Sequence, residues 1–212
     1  MTPSLTTLAR IGSSATRPSP PSRERLGKVA GPAELESLLS LLQCKNGFYA
    51  FESALHVFSD LGTATEPGLI AWNDIGTWRR EFDGMADDVV FFAEDLFGNQ
   101  FGMRGPSVVG FDPETGAFSA MAANLEEWAS NVLGDYNLWT GCSLAREWQK
   151  KHGSIPFGSR LLPITPFILG GDFEVGNLQL MNALDGMKYR ASIARQISEL
   201  PDGATVKLRV IE

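Results

Sequence analysis

Histidine and cysteine are scarce in this chain, with two of each among 212 residues, and that scarcity removes several chemistries at once. Cys44 and Cys142 stand far apart without metal-ligand neighbours, which argues against a disulfide scaffold and leaves them as core thiols in a reducing, cytoplasmic setting. His56 sits in an apolar run and His152 comes directly after Lys150 and Lys151, so neither has a Cys, Asp or second His at metal spacing. Glu52 with His56 would need a third ligand. No nucleophile elbow, phosphate-cradling glycine loop or zinc-protease helix occurs, Gly170-Gly171-Asp172 reads as a turn, and neither metal nor cofactor is expected. Apolar runs are also short: none approaches the ~20 residues that a bilayer demands, and no secretory signal with an apolar core stands out.

Positive charge is scarce in one region only. Residues 1–30 hold five Lys/Arg against one Glu, residues 31–140 hold four against seventeen acids, and residues 141–212 hold nine against seven. A middle segment with thirteen excess negative charges repels nucleic-acid phosphates and membrane surfaces and attracts a basic protein partner. The plainer reading is that these acids solubilise an exposed face.

Along the chain, residues 1–31 are rich in Ser, Pro and Arg and poor in apolar residues, which predicts a disordered tail. Its Arg and Ser content is that of a transit peptide, but no amphipathic period is evident, so an upstream start is the favoured account. Pro32, Leu35, Leu38, Leu39 and Leu42 form a helical stripe ended by Asn46-Gly47. Residues 54–58 suit a strand, and residues 70–82 return to helical spacing through Ile75, Trp78 and Phe82.

Residues 89–128 are the most informative stretch. Val89 to Ala93 suits a buried strand, Glu94 to Asn99 supplies turn chemistry, and Gln100 to Met103 turns back. Val108 to Phe111 and Ala117 to Met121 flank Asp112-Pro113-Glu114-Thr115-Gly116, a second hairpin. Asn124, three residues before Glu127, caps a helix bearing Leu125, Trp128 and Val132. After Gly141, Leu144 and Trp148 suggest a short helix, and Pro156, Pro163 and Pro166 break the next stretch into loop and edge-like pieces. Tyr189 to Leu200 reads as a helix, Pro201-Asp202-Gly203 as a turn, and Val206, Leu208 and Val210 as alternate positions of a final strand.

This ordered set resembles the SUKH superfamily, the Smi/Knr-type domain of fungal cell-wall regulators and bacterial immunity proteins. The residues that carry the resemblance are Asn46-Gly47, the region from Trp72 to Trp78, Phe92-Ala93-Glu94-Asp95 with Phe97-Gly98-Asn99-Gln100-Phe101, the hairpin from Val109 to Gly116, and Leu125-Glu126-Glu127-Trp128. Many members have Gly-Asp where this chain has Gly98-Asn99. The resemblance implies an α+β fold, with a central mostly antiparallel sheet built from hairpins and flanking helices. On that resemblance, residues 32–135 are expected to form the SUKH-like domain and residues 136–212 a C-terminal α/β extension packed on it.

Glu94 and Asp95 are the nearest approach to a catalytic pair, yet adjacent strand residues face opposite ways and the plain reading is a solvated turn. As candidates for partner contact, Asp87, Asp88, Glu94, Asp95, Asp112 and Glu114 cluster at hairpin ends where loops project. Five tryptophans suit core packing for the most part, but Trp139 beside Tyr136 in a polar linker is the one expected at an interface. The resemblance implies a non-enzymatic immunity protein that blocks a cognate toxin, often a nuclease with a basic cleft. A regulatory scaffold and an enzyme are the alternatives, and a deep pocket joining Glu94, His56 and an Arg would favour the enzyme.

Overall fold

The computed structural model describes residues 3–200. Six strands form one sheet in chain order: β1 (Phe48–Ala50), β2 (Leu55–Val57), β3 (Val90–Glu94), β4 (Gln100–Arg104), β5 (Ser107–Asp112) and β6 (Ala117–Ala122). Every neighbouring pair is antiparallel, and all but β2–β3, which a long helical connection joins, are hairpins. The fold is therefore α+β, with helices flanking an antiparallel sheet.

The alternation of side chains across β3–β6 divides the aromatic residues between two faces. Phe91 and Phe111 meet Trp78 and Phe82 on one face, while Phe92 and Phe101 meet Trp128 on the other. Trp128 comes from α5 (Leu125–Gly134), whose start is the expected cap: Asn124 accepts from the Glu127 N–H at 2.9 Å. Glu127 reaches back one residue further than a capping box requires, to the Ala123 N–H at 2.8 Å.

The N-terminal segment corrects the expectation of a disordered tail from residue 1 to 31. Residues 3–11 form α1, whose Leu5, Leu8 and Ala9 make an i, i+3, i+4 stripe buried against α5. Glu126 accepts from the first N–H groups of α1, at Ser4 (2.7 Å) and Leu5 (3.2 Å). Farther on, buried Asp60 accepts from the Ser22 N–H at 3.0 Å and from Arg25 Nη2 at 2.7 Å, with Arg17 Nε at 3.9 Å. A basic segment with little apolar content is thus ordered by acids of the middle region.

After the single turn α2 (Arg23–Leu26), the helix α3 (Pro32–Cys44) matches expectation, but residues 70–82 do not form one helix. A single turn, α4 (Leu69–Trp72), precedes a loop and a 3-10 turn (Arg79–Phe82), and Ile75 is exposed. Asn73 accounts for the break. It accepts from the Phe91 N–H and donates to the Phe91 carbonyl, both at 2.8 Å, satisfying β3 where its pairing to β4 is irregular.

After α5 come α6 (Tyr136–Thr140) and α7 (Cys142–His152). The proline-punctuated stretch contains a separate hairpin, β7 (Ser159–Pro163) with β8 (Leu178–Asn182), and leads into α8 (Ala183–Ser198). The expected turn at residues 201–203 and strand at residues 206–210 lie outside the described residues. No described helix is long and apolar enough to cross a membrane.

Candidate functional site

Pairing of β2 with β3 and of β3 with β4 sets His56, Glu94 and Gln100 side by side. Glu94 Oε1 lies 3.1 Å from His56 Nδ1 and accepts from Arg160 Nε at 2.7 Å, while Glu94 Oε2 accepts from Gln100 Nε2 at 3.2 Å. Gln100 in turn accepts from Trp72 Nε1 at 2.8 Å. On the far side Tyr49 stacks on His56 with ring centroids 4.2 Å apart, and its hydroxyl donates to Glu66. Burial acts to raise the Glu94 carboxyl, but Arg160 and His56 outweigh it and hold it down to about 2. Burial pushes the His56 imidazole below its ordinary range and the Tyr49 phenol above its own.

His56, Glu94 and an arginine are thus brought together, but each is almost wholly buried and none of the three lines a described cavity. Their arrangement ties the sheet to β7. Glu94, expected as a partner contact at a projecting hairpin end, is instead enclosed.

Asp95 and Glu114 are likewise buried rather than projecting from hairpin ends, although both line the groove described below. Asp95 accepts from the N–H groups of Phe97 and Asn99 at 2.9 Å and from Asn99 Nδ2 at 2.8 Å, closing its own turn. It is buried there, and burial pushes its carboxyl up to about 7 against those donors and Arg190. Glu114 is also buried and accepts from the Ile168 N–H at 2.9 Å. Burial of an acid needs such donors, and for Glu114 the donor comes from far along the chain, where no local pattern reveals it. Asp112 is half-buried and holds the hairpin turn through the Glu114 N–H at 2.8 Å and the Thr115 hydroxyl at 2.9 Å. Asp87 and Asp88 are exposed.

An open groove of about 790 Å³ lies over the β4–β6 part of the sheet. Its floor is Phe101, Gly110, Ser119 and Met121, and the missing side chain of Gly110 hollows the centre. One wall is α6, where Trp139 is half-buried and packs on Phe101, while Leu138 is 79% exposed. The sequence points to Trp139 for the contact, but its neighbour presents the larger apolar surface.

The other wall is the long β7–β8 connection. Phe167 and Phe173 stack 3.9 Å apart and meet Phe97 edge-on, and Phe173 is 66% exposed. Asn177 staples the base of this connection, donating to the Thr165 and Asp172 carbonyls and accepting from the Thr165 N–H. Asp95, Asp112 and Glu114 with Arg190 supply the polar rim.

Arg190 is buried and donates to the Phe97 carbonyl at 2.8 Å and the Gly98 carbonyl at 3.1 Å. A Cβ at Gly98, where φ is +76°, would lie 2.6 Å from Arg190 Nη2, so glycine is needed at that turn.

A likeness of fold accompanies this geometry. The crystal structure of Atu4351 from Agrobacterium tumefaciens is similar over 88% of this chain and 87% of that one, with a TM-score of 0.53 and 13% sequence identity. No protein-family model matches the chain, and no curated protein does. At that identity the likeness concerns the fold alone.

Proposed function

We propose that this chain is a non-enzymatic protein-binding domain, an immunity protein that masks a cognate bacterial toxin through the groove on the β4–β6 face. The observation that carries this reading is the bare apolar surface of the walls: Leu138 and Phe173 stand largely exposed on opposite sides, with Ile168 half-exposed beside Glu114. Exposed aliphatic and aromatic side chains around a concave site mark a place where a protein surface is covered. The SUKH resemblance supplies the toxin. The exposed Asp87 and Asp88 and half-buried Asp112 favour a basic partner, such as a nuclease whose cleft accommodates polyanions.

The contact is therefore apolar on its walls and acidic at its border, with Glu94 acting inside the protein and Asp95 and Glu114 lining the groove from buried positions. The test is affinity purification of the tagged chain from cells of its own organism, wild type beside a Leu138→Asp, Phe173→Asp variant. A single basic, growth-arresting protein should copurify with the wild type and be lost from the variant, and co-expression of the wild type should restore growth. Recovery of the same proteins by both would overturn the reading.

A further inference from the structure

The two edges of the sheet are treated differently. At β1 the N-terminal segment closes the edge: the Ser13 N–H donates to the Tyr49 carbonyl at 2.7 Å, the Tyr49 N–H donates to Ser13 Oγ at 3.1 Å, and the Thr16 N–H donates to the Gly47 carbonyl at 2.9 Å. At β6 no described strand pairs with the outer side. Natural edges are ordinarily blunted by charge, proline or a bulge. β6 reads Ala-Phe-Ser-Ala-Met-Ala, without charge or proline, and its irregularity is confined to the end beyond Ala120.

Its open main-chain groups can be assigned from the register. The two-residue connection makes Arg104 and Ser107 a hydrogen-bonded pair, and bonded and non-bonded pairs then alternate along β4–β5 and through the regular part of β5–β6, from Ala117 to Ala120. Gly110 with Ser119 is then a bonded pair, whereas Phe118 and Ala120 turn their N–H and C=O groups outward. A strand laid against them would place alternate side chains on the face of Ser119 and Met121, which is the groove floor.

Charge decides what that strand is. Met85 packs beneath Gly116, which brings the loop with exposed Asp83, Asp87 and Asp88 to the start of β6, beside Asp112. The other end of β6 leads into exposed Glu127. Arg104 lies over the Phe118 ring between them. A second copy would set acid against acid at both ends, whereas a basic segment meets carboxylates in either direction.

We infer that β6 takes up an extended segment of the partner polypeptide as a seventh strand, with alternate apolar side chains in the groove and Lys or Arg near its ends. This mode, addition of a strand to an open edge, rests on the protein-binding reading above and specifies how it is done.

The probe is a library of random ten-residue peptides displayed on yeast and selected against the whole chain, with titration of a synthetic selected peptide as the second step. Selected sequences should alternate apolar residues with Lys or Arg. Amide exchange at Phe118 and Ala120 should slow on binding, and Ala120→Pro should weaken binding about tenfold or more while Ala120→Ser changes it less than about twofold. The exchange measurement requires no variant, so it stands even if Ala120→Pro misfolds. An empty selection, unchanged exchange, or wild-type binding by folded Ala120→Pro would overturn strand addition. Concentration-dependent sedimentation abolished by Ala120→Pro would overturn it in favour of a second copy. If Leu138→Asp, Phe173→Asp loses the partner but Ala120→Pro retains it, strand addition fails while the groove reading survives; if neither variant loses it, both fail.

Discussion

Glu94 is the residue on which the two halves of the chain depend most. Its carboxylate is buried between Arg160 and His56, so removing it strands a buried guanidinium rather than deleting one hydrogen bond. Glu94→Ala should cost about 3–5 kcal/mol in urea unfolding, whereas an apolar replacement of both Glu94 and Arg160 should recover most of that loss. Two buried acids also give opposite pH dependences. Glu94 has a folded pKa of about 2, below an unfolded value near 4.3, so its contribution is present above that unfolded value and is lost as pH falls toward 2. Asp95 has a folded pKa of about 7, above an unfolded value near 3.9, so the native state holds the extra proton and stability declines as pH rises from about 4 to about 7. Buried His56 and Glu114 titrate in the same range with opposite signs, so Asp95 is isolated by comparison: urea midpoints should fall more steeply, or rise less, with pH in the wild type than in Asp95→Asn, and parallel profiles would contradict the assignment.

At the scale of elements, the N-terminal helix is held by burial of a short stripe. Leu8→Ala should destabilise by about 2–5 kcal/mol because the side chain is fully enclosed between α1 and α5, and Asn124→Ala should cost about 1 kcal/mol through loss of the α5 cap. Both are measurable by chemical denaturation, and a Leu8→Ala effect below about 0.5 kcal/mol would mean that α1 does not dock. Breaking the exposed Arg23–Glu36 pair should change stability by less than about 1 kcal/mol. The same contrast between local and distant interactions separates what is legible in the sequence from what is not. The β3–β6 hairpins and the Asn124 cap are legible because turn residues and two-residue alternation are local signals. Helix α1 is not, since composition averaged over thirty residues conceals Leu5, Leu8 and Ala9. The break after α4 depends on Asn73 reaching Phe91, and the β7–β8 hairpin pairs Leu161 with Leu180 at its middle, across a long connection without a tight turn. The groove is partly legible: Trp139 marks the right helix, while Leu138, Phe167 and Phe173 gain meaning only once the two walls stand opposite each other.

For the whole molecule, part of the charge segregation in the sequence is an internal attraction. Five of the seventeen acids of residues 31–140, namely Asp60, Glu66, Glu94, Asp95 and Glu114, are buried, and their partners include Arg17 and Arg25 before that region and Arg160 after it. The apolar contacts obey the same logic. One cluster fills the sheet and its helices, and a second joins Leu96 and Phe97 to Trp148, Leu161 and Leu178 of the later elements. Residues 32–135 thus lack a complete set of partners on their own. A fragment ending at Asp135 leaves Glu94 without Arg160, the Phe97 and Gly98 carbonyls without Arg190, and Phe97 without its apolar neighbours. Loss of a buried ion pair alone is of the order of 3–5 kcal/mol, a large share of the roughly 5–15 kcal/mol that stabilises a domain. The fragment should therefore show neither a cooperative thermal transition by circular dichroism nor dispersed amide signals, while residues 1–200 should melt in one transition by both circular dichroism and tryptophan fluorescence. A fragment that melts cooperatively near the temperature of the longer chain would show that the later elements merely decorate the sheet, and the internal charge pairing would then lose its place as what joins the two.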